Sequence, residues 1–492
     1  MRKLIAACLG ALATLALAGG ASAGVSVGVN DDAGKYADGG TQFWQTMAQE
    51  GLKQNAVTVL WDETRPTTIV DQSFIQHALP AAAAAGIQVV FDVYPMHSRA
   101  LTSDPANIQR FGAFVGQLAR TFPQVRQYVV MNECNQTRFV NPQFDAEQQN
   151  QSAALCGQAL AAAYDALKAV DRSIFVWGIG LSPRGNDNAN AVSNVSTSPV
   201  KFLGYLGQWY RQSGRTKPIM DGFDFHPYAI PQSLPFAQGY ADPDNASVSN
   251  LSRIYQAFYD AFQGTGQPTI GQQAGGGLPV SLNEVGIQTN NTGRAGYTGS
   301  ENAANANGGV RGDTATEAYQ ASWYLQMLNL VACDPNIEVV NLFHLVDESD
   351  LGGWQSGLFY VGYQPKASAA AVQQWIAAGG RCSGQSTPWT PSGVPAADDS
   401  GPGSDALHTR LSSLSRQIAS LQRSVARKKG PAKRKLAKRL SALVAKRSAV
   451  RAQIAQVGGG ATGPPANPGT QEHSKPGKPG KGGKGAGNGK HH

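Results

Sequence analysis

The sequence predicts an α/β protein whose main part is a (β/α)8 TIM barrel, and three observations indicate it. Between Gly24 and Cys382, short runs rich in Val, Ile and Phe alternate with longer Ala-, Leu- and Gln-rich stretches that have the spacing of helices. The short runs number eight, and a helical stretch follows each of them. Eight such units over about 360 residues lie within the size range of this barrel.

The strand candidates are short apolar runs, as expected of parallel strands that are buried on both faces. In chain order they are VSVGVN from Val25, AVTVLW from Ala56, IQVVFDVY from Ile87, QYVVMNE from Gln127, SIFVWGIG from Ser173, GFDFHPY from Gly222, PVSLNEVG from Pro279 and IEVVNLFHLV from Ile337. The helix candidates are Thr41–Asn55, Ser73–Ala85, Pro105–Phe122, Ala146–Ala169, Lys201–Gln212, Asn250–Phe262, Thr314–Val331 and Lys366–Ala378. The alternative fold is a doubly wound open sheet, but VGVNDDAGK after the first strand lacks the glycine-rich phosphate turn which that fold favours.

Two long polar segments interrupt this alternation. RGNDNANAVSNVSTSP follows strand five, and TNNTGRAGYTGSENAANANGGVRG follows strand seven. In a barrel, the loops that follow strands rise at the C-terminal face, where substrates bind. Their Asn and Gly content fits the hydrogen-bonding walls of a binding site, and it fits a flexible loop equally well.

The N-terminus has the three parts of a secretory signal. Arg2 and Lys3 form a basic start, an apolar stretch follows, and Ala21-Ser22-Ala23 is a small-residue cleavage site. We therefore expect residues 1–23 to be a removed signal peptide and the protein to be secreted or associated with the cell envelope. No later stretch has the roughly 18 apolar residues of a membrane span.

Export would permit disulfide bonds between the cysteines that remain after the signal. These are Cys134, Cys156, Cys333 and Cys382, an even number that allows three pairings. The pairs nearest in sequence are Cys134 with Cys156 and Cys333 with Cys382, and four buried thiols are the alternative. Their spacing is not that of a zinc site, so we expect neither a metal nor a cofactor.

The net charge of +8 is spread unevenly along the chain. Residues 24–405 contain 20 Lys and Arg against 32 Asp and Glu, whereas the chain from Ala406 onward contains 19 Lys and Arg and one acid, Glu472. We expect the basic end to hold the protein on an anionic polymer of the cell envelope; a solvated extension is the alternative. The basic end lacks interleaved aromatic residues and the body is acidic, so we do not expect nucleic acid as a partner.

Three segments follow the predicted catalytic domain at 24–382. Residues 383–405 form a Pro/Gly/Ser linker. Residues 406–457 carry a heptad seam that Gly430-Pro431 interrupts, which predicts a basic helical hairpin or a coiled coil able to form a homo-oligomer. Residues 458–492 form a Gly/Lys/Pro tail that we expect to be disordered. The seam consists of Leu407, Leu411, Leu414, Ile418, Leu421, Val425, Leu436, Leu440, Leu443, Val450, Ile454 and Val457.

Two of the predicted apolar strands finish with a glutamate at their C-terminal end. Glu133 ends the fourth predicted strand and Glu284 ends the seventh, and an Asn precedes each of them, Asn132 and Asn283. Strands four and seven lie across a barrel from each other, so the two carboxylates can face one substrate at the C-terminal face. A facing pair of this kind is what cleavage of a glycosidic bond requires.

These motifs resemble the retaining glycoside hydrolases of clan A, near families 5 and 39, which include cellulases and β-xylosidases on a (β/α)8 barrel. The resemblance extends from about Val25 to Ala378. It implies that Glu133 is the acid/base and Glu284 the nucleophile. It also implies that Asn132 binds a sugar hydroxyl, and that His226 and Tyr228 of FDFHPYA lie close to the nucleophile, where we expect both to contact the substrate.

Other residues extend the predicted substrate site. His344 and Trp354 lie in the region where the clan often has a Trp platform, so either can line the site. Trp61 ends strand two and Tyr94 ends strand three, where an aromatic ring serves equally well as a sugar platform or as core. We regard Asp92, Asp224, Asp347 and Glu348 as polar groups with a mainly structural or solvated role.

The sequence therefore predicts a secreted retaining glycoside hydrolase that acts on a β-linked oligo- or polysaccharide. A non-catalytic carbohydrate-binding barrel, tethered to the envelope by its basic tail, is the alternative. A structural envelope protein in which the barrel is a passenger is the third hypothesis. The two Glu residues with their Asn neighbours and His226 argue against the non-catalytic barrel. Activity kept in solution after deletion of the tail would argue against the structural envelope protein.

Overall fold

The computed structural model describes residues 25–36, 40–271, 277–301, 314–384 and 389–392, and the single helical positions Leu440, Leu443 and Lys446. Within the first four ranges, eight parallel strands close into one barrel in sequence order. The predicted (β/α)8 barrel is thereby confirmed. The signal peptide, nearly all of the linker and coiled coil, and the C-terminal tail lie outside the described residues, so these remain predictions.

All eight predicted strands are present. Buried Val, Ile and Phe residues form them, as expected of a parallel sheet covered by helices. Their bounds are β1 Ser26–Asn30, β2 Gln54–Trp61, β3 Gln88–Pro95, β4 Gln127–Val130, β5 Phe175–Leu181, β6 Gly222–Phe225, β7 Val280–Val285 and β8 Ile337–Leu342.

The eight predicted helices are also present, with two shortened ends. The first ends at Glu50 and not at Asn55, because Gly51 adopts a left-handed φ of 80° and the chain then enters β2. The fourth begins at Ser152 and not at Ala146. Described helices are α1 Ala33–Tyr36, α2 Thr41–Glu50, α3 Gln72–Ala84, α4 Ala100–Ser103, α5 Asn107–Thr121, α6 Ser152–Val170, α7 Pro199–Ser213, a 3-10 turn at Val248–Asn250, α8 Leu251–Phe262, α9 Glu317–Val331 and α10 Ala367–Ala377.

No helix among these ranges combines the length and the apolar content that crossing a bilayer requires. Both disulfides join the cysteines nearest in sequence, Cys134 with Cys156 and Cys333 with Cys382. The expected disulfides are thereby confirmed, and the alternative of four thiols is wrong.

Side chains along the strands alternate between the helix-facing core and the barrel interior. Part of the interior is an apolar cluster made of strand residues only: Ala56, Val90, Val129, Trp177 and Val339. Trp177 donates its indole N–H to Oε1 of Gln127 at 2.9 Å. Gly222 makes room for the ring, because a Cβ at this position would lie 2.3 Å from Trp177.

The rest of the interior is a polar string that crosses the barrel. Gln54 donates to Oδ1 of Asn341 at 3.1 Å, and Asn341 donates to Oδ1 of Asn283 at 2.8 Å. Asn283 in turn donates to Oδ2 of Asp92 at 3.2 Å. All four are at most 5 % exposed. Gly28 accommodates the string, since a Cβ there would lie 2.5 Å from Oδ1 of Asn341.

Candidate active site

Glu133 reaches the barrel mouth on a sharply turned segment beyond β4. The strand ends at Val130, and Met131 and Glu133 then adopt φ values of 70° and 36°. Left-handed backbone is unfavourable for residues that carry a side chain, and it is found most often where a functional group must be aimed. The N–H of Glu133 donates to the carbonyl of Gly180 at 2.8 Å, which fixes the turn against β5.

The first disulfide adjoins this turn. Cys134, the residue after Glu133, is bonded to Cys156 in α6, and both are fully buried. The segment that carries Glu133 is therefore tied covalently to the helix that follows it, as expected from the sequence.

Glu284 reaches the mouth from the opposite side, through an irregularity in β7. The ladder between β7 and β8 shifts register between Leu282 and Val285. Such shifts re-aim side chains, and here two consecutive residues both face inward. Asn283 joins the polar string, and Glu284 lines the cleft.

The two carboxylates meet around one imidazole. Nδ1 of His226 lies 3.3 Å from Oε1 of Glu133 and 3.6 Å from Oε2 of Glu284. The interacting atoms of these three residues all lie within 4.8 Å of one another. Tyr228 donates its hydroxyl to Oε2 of Glu284 at 3.1 Å. The structure thus brings together the two glutamates and the two residues after β6, His226 and Tyr228, that the sequence analysis selected.

The electrostatics of this group follow from burial and from like charges. Burial alone would lower the pKa of His226, but the carboxylates of Glu284, Asp224 and Glu133 outweigh it and hold that pKa well above its usual value. Burial raises the pKa of Glu284 to about 7; the neighbouring Glu133 charge adds to the rise, while His226 and the Tyr228 hydroxyl oppose it. The surrounding carboxylates therefore favour the protonated imidazole, and burial favours the protonated form of Glu284.

Asp224 supports the imidazole from behind. Its Oδ2 lies 3.4 Å from Nε2 of His226, and both side chains are fully buried. Its Oδ1 accepts the N–H of Asn283 at 3.1 Å. Burial raises the pKa of Asp224, and the nearby positive charge of His226 opposes that rise. Each nitrogen atom of His226 therefore lies beside a carboxylate: Nε2 beside Asp224, and Nδ1 beside Glu133 and Glu284.

A cleft of about 680 Å³ opens above the glutamates, within the usual size of small-molecule sites. Loops that follow six of the eight strands contribute to it, as expected at the C-terminal face of a barrel. Its walls carry the arginines Arg138 and Arg184 after β4 and β5, and the acids Asp32 and Glu348 after β1 and β8. Further lining residues are Asn30, Thr58, Gln136, Phe139, Asn194, Gln232, Gln288, Gly353 and Val346.

Asn132, Tyr228, His344 and Trp354 all line the cleft as predicted. The ring of Trp354 packs on that of Tyr228, with centroids 5.1 Å apart. Burial lowers the pKa of His344 to about 3, so its imidazole is neutral. His226 lies beneath the cleft and not on its surface, since it is fully buried. It is placed to act through the glutamates, and the expectation of direct substrate contact is wrong for it.

Asn132 lines the cleft, but its side-chain oxygen is buried. The residue is 5 % exposed, and within the described ranges its Oδ1 accepts no hydrogen bond. Gly180 allows this close packing, because a Cβ there would lie 3.2 Å from Oδ1 of Asn132 and 2.9 Å from Nε2 of His226. The contact of Asn132 with a sugar hydroxyl stays a prediction.

Trp61 does not line the cleft, and its assignment to the substrate site is wrong. The ring is fully buried, its Nε1 donates to the carbonyl of Pro66 at 3.3 Å, and it packs on Phe111 at 5.6 Å. Tyr94, the other aromatic residue at a strand end, does line the cleft. Residues two apart in a strand point to the same face. Trp61 therefore points outward with Val59, toward the helices, whereas Tyr94 points inward with Asp92.

Sequence reasoning missed Asp31. Its carboxylate accepts the N–H groups of Ala33, Leu345 and Val346 at 2.7, 2.9 and 3.1 Å. Burial raises the pKa of this carboxyl group to about 7. Asp31 thus ties the end of the first strand to the segment after the eighth. The available signal was the pair Asp31-Asp32 directly after an apolar strand.

Among the described residues, two groups of side chains have the composition of a metal site, and in each of them the side chains pair with one another. In the group of Glu133, His226 and Glu284, Nδ1 of His226 lies 3.3 Å from Glu133 and 3.6 Å from Glu284. In the group of Asp62, Glu63 and His97, Nδ1 of His97 lies 2.9 Å from Glu63. Asp62 accepts hydrogen bonds from Thr64 and Arg65 of the turn that follows it.

No protein-family model matches the chain, and no curated protein does. Solved structures similar to it include a family 39 glycoside hydrolase from Bacteroides cellulosilyticus WH2, with 14% identity and a TM-score of 0.47; it covers 72% of this chain and 63% of that chain. An exo-β-1,4-mannosidase from Opitutaceae bacterium strain TAV5 also has 14% identity, with a TM-score of 0.46; the match covers 72% of this chain and 59% of the mannosidase. A xylanase from Cellvibrio japonicus has 13% identity and a TM-score of 0.42; the match covers 72% of this chain and 97% of the xylanase.

The chain therefore spans about three fifths of the length of the first two structures. All three names denote enzymes that cleave glycosidic bonds, which is the class that the Asn-Glu motifs resemble. With TM-scores below 0.5, these similarities carry no argument about activity. The conclusion on function therefore depends on the geometry of the site.

Proposed function

We propose that this protein is a retaining glycoside hydrolase acting on a β-linked oligo- or polysaccharide. One observation carries the proposal: carboxylate oxygens of Glu133 and Glu284 lie within 4.8 Å of each other across the barrel mouth. Retaining enzymes hold their two carboxyl groups roughly 5 to 5.5 Å apart, whereas inverting enzymes leave about 6.5 to 9.5 Å for a water molecule. The short separation favours a direct attack by one carboxylate on the sugar.

In this proposal Glu284 is the nucleophile. Its carboxylate attacks the anomeric carbon, and the bond to the leaving oxygen breaks as Glu133 donates a proton to that oxygen. A glycosyl–enzyme ester forms. Glu133 then accepts a proton from water, the hydroxide oxygen bonds to the anomeric carbon, and Glu284 leaves as a carboxylate. The Tyr228 hydroxyl supports this assignment, because it donates to Glu284 and stabilises the ionised form.

His226 and Asp224 are positioning residues in this mechanism. The imidazolium offers positive charge to both glutamates, so it opposes the repulsion that two carboxylates at this separation would otherwise feel. Asp224 keeps the imidazole protonated and oriented. Asn132 lines the cleft directly beside Glu133, and we assign to it a hydrogen bond with a sugar hydroxyl next to the cleaved bond.

The cellular setting is also part of the proposal. Export by the predicted signal at 1–23 agrees with two disulfides, which persist in oxidising compartments. Attachment of the basic C-terminal end to an anionic envelope polymer, and self-association through the predicted coiled coil, rest on sequence alone. Most of the residues concerned lie outside the described ranges.

The test is hydrolysis of a panel of aryl β-glycosides and β-linked polysaccharides by the mature protein, with product anomers followed by NMR. We expect turnover with retained β configuration, and loss of turnover in Glu133→Ala. Azide, a nucleophile that needs no general base, should restore a β-glycosyl azide product in that variant. An inverted product would overturn the retaining mechanism. Glycan binding without turnover would favour the carbohydrate-binding barrel.

A further inference from the structure

Two exposed aromatic rings lie in contact at one end of the cleft. Tyr36 in α1 lines the cleft and is 50% exposed, and Phe74 in α3 is 46% exposed. Their ring centroids are 5.2 Å apart in an edge-to-face arrangement. We call these two residues the aromatic pair. Exposed apolar surface with a polar rim, continuous with a binding cleft, marks a groove for a ligand.

Tyr36 is held in place before any ligand arrives. Its hydroxyl donates to Oδ2 of Asp71 at 3.2 Å, and the ammonium of Lys35 lies 4.5 Å from its ring centroid. Lys35 is itself 2% exposed and donates to Asp71 and to the carbonyl of Thr58. A ring that is already ordered loses little entropy when a ligand binds on it.

The chemistry around the aromatic pair selects for a neutral ligand with many hydroxyl groups. Asp32, which is partly exposed and lines the cleft, and Asp71 carry two negative charges against the single charge of Lys35. This balance disfavours a uronate or a phosphate. Carboxylate oxygens accept hydrogen bonds from hydroxyls, and aromatic rings offer an apolar face to the C–H groups of a sugar ring.

We propose that the aromatic pair is a distal binding site for a neutral β-linked glycan chain. The chain runs from the two glutamates along the cleft, past Asp32, and ends on Tyr36 and Phe74. This inference rests on the proposed glycosidase function and deepens it, because it makes the substrate a chain of several sugars. On this proposal, a substrate of one or two sugars bound at the glutamates leaves the aromatic pair empty.

The experiment compares wild type with the double variant Tyr36→Ala, Phe74→Ala on substrates of increasing length. The substrates are aryl β-monoglycosides and the cello-, xylo- and manno-oligosaccharides of two to six units. We expect kcat/KM of the double variant to fall roughly tenfold on the longest substrate of the series that wild type cleaves, and to be unchanged on the aryl glycosides. The fall should appear mainly in KM, because the aromatic pair lies away from the reacting bond.

Two controls separate ring stacking from damage to the fold. Tyr205→Ala removes an exposed ring of similar exposure (37%) from α7 on the outer shell, and it should leave every rate unchanged. Tyr36→Phe keeps the ring but loses the hydrogen bond to Asp71, and it should retain most of the preference for long substrates. Equal kcat/KM for wild type and the double variant at every length would overturn the inference.

Binding distinguishes this inference from the proposed function. Calorimetric titration of the same oligosaccharides into Glu284→Gln, with and without the two alanine substitutions, needs no turnover. Weaker binding of long chains to the triple variant supports the aromatic pair even if wild type proves inactive. Cleavage with unchanged binding and rates supports the glycosidase alone. If none of the three sugar series binds, the inference is overturned.

Discussion

The barrel interior contains two regions that share the same strands and differ in almost everything else. The apolar cluster around Trp177 leaves no polar side-chain atom without a partner in the described residues, since its one indole N–H reaches Gln127. The polar region around His226 contains buried oxygen atoms of Asp92 and Asp224 that lack hydrogen-bond partners there. Burying such groups costs free energy, so this region is tuned for chemistry and not for stability.

The difference teaches where the fold is stabilised and where the activity arises. Apolar side chains that fill the cluster contribute through burial and close packing. The carboxylates of Asp92, Asp224 and Glu284 contribute little to folding, because burial raises the pKa of each of them. Substitutions in the two regions should therefore separate activity from stability.

The largest expected effect is that of Glu284→Gln. The variant should lose at least about 10³-fold in kcat, because glutamine cannot form the glycosyl ester. Its thermal midpoint should not fall, since the substitution removes a buried charge that folding disfavours. Scanning calorimetry and kinetics on the same preparation check both parts. A clearly lower midpoint would show that Glu284 stabilises the fold and would break the comparison.

The same variant also predicts how stability depends on pH. Burial raises the pKa of Glu284 from 4.5 to about 7. Between these two pH values the Glu284 carboxyl group keeps its proton in the folded protein and loses it in the unfolded chain. The wild-type free energy of unfolding should therefore decrease as pH rises from about 5 to about 7. Glu284 should account for about 2 kcal/mol of that decrease in unfolding free energy. The variant Glu284→Gln should therefore show a decrease that is smaller by this amount. Urea denaturation at both ends of the window measures it.

Trp177→Ala should have the opposite character. Removing a buried indole from the apolar cluster costs about 3 to 5 kcal/mol of unfolding free energy, because the interior cannot collapse around the cavity. The kcat of the molecules that remain folded should stay within about twofold of wild type. Trp375→Ala on α10, where the ring is half-buried, is the matched control and should cost less. A loss of kcat as large as the loss in Glu284→Gln would refute the separation.

Asp224→Asn should reduce activity less than Glu284→Gln does. The amide no longer balances the charge of the His226 imidazolium, so the pKa of His226 should fall and the positive charge near both glutamates should be lost at lower pH. We expect a roughly 10- to 100-fold loss of kcat and a downward shift of the alkaline limb of the pH profile. Asp165→Asn on α6 is the control. An unchanged pH profile would argue that Asp224 is only structural.

The last expected effect needs no substitution and is the acid limb of the wild-type pH profile. A nucleophile must be ionised, and the pKa of Glu284 is raised to about 7, so kcat/KM should fall as pH decreases below about 7. The slope should approach tenfold per pH unit, and it reports the glutamate pair as a coupled system. A profile that stays flat down to about pH 5 would contradict the burial effect on this carboxylate.

Most of the barrel was predictable because its signals are local. Apolar runs of the right length predicted all eight strands, and Asn-Glu at the ends of two of them predicted the facing carboxylates. The alternation of side chains along β2 and β3 could also have predicted that Trp61 points outward and Tyr94 inward. Trp61 lies in phase with the outward Val59, whereas Tyr94 lies in phase with the inward Asp92.

What was not predictable depends on register shifts and on contacts between distant strands. Asn132 and Asn283 look equivalent in the sequence, but only Asn132 faces the cleft. Asn283 joins the polar string because β7 shifts register beside it, which no local pattern reports. The same holds for Asp31 and Asp224, whose partners lie far away along the chain or on another strand.

The bonds from Asp31 to Leu345 and Val346 have a consequence for biosynthesis. They link the first strand to the last segment of the barrel, so they form only after more than 300 residues of chain have followed Asp31. A ring of parallel strands cannot close until its final member is present. During synthesis the two glutamates thus stay unassembled while the chain emerges. A molecule that is cut short before β8 therefore lacks a complete cleft.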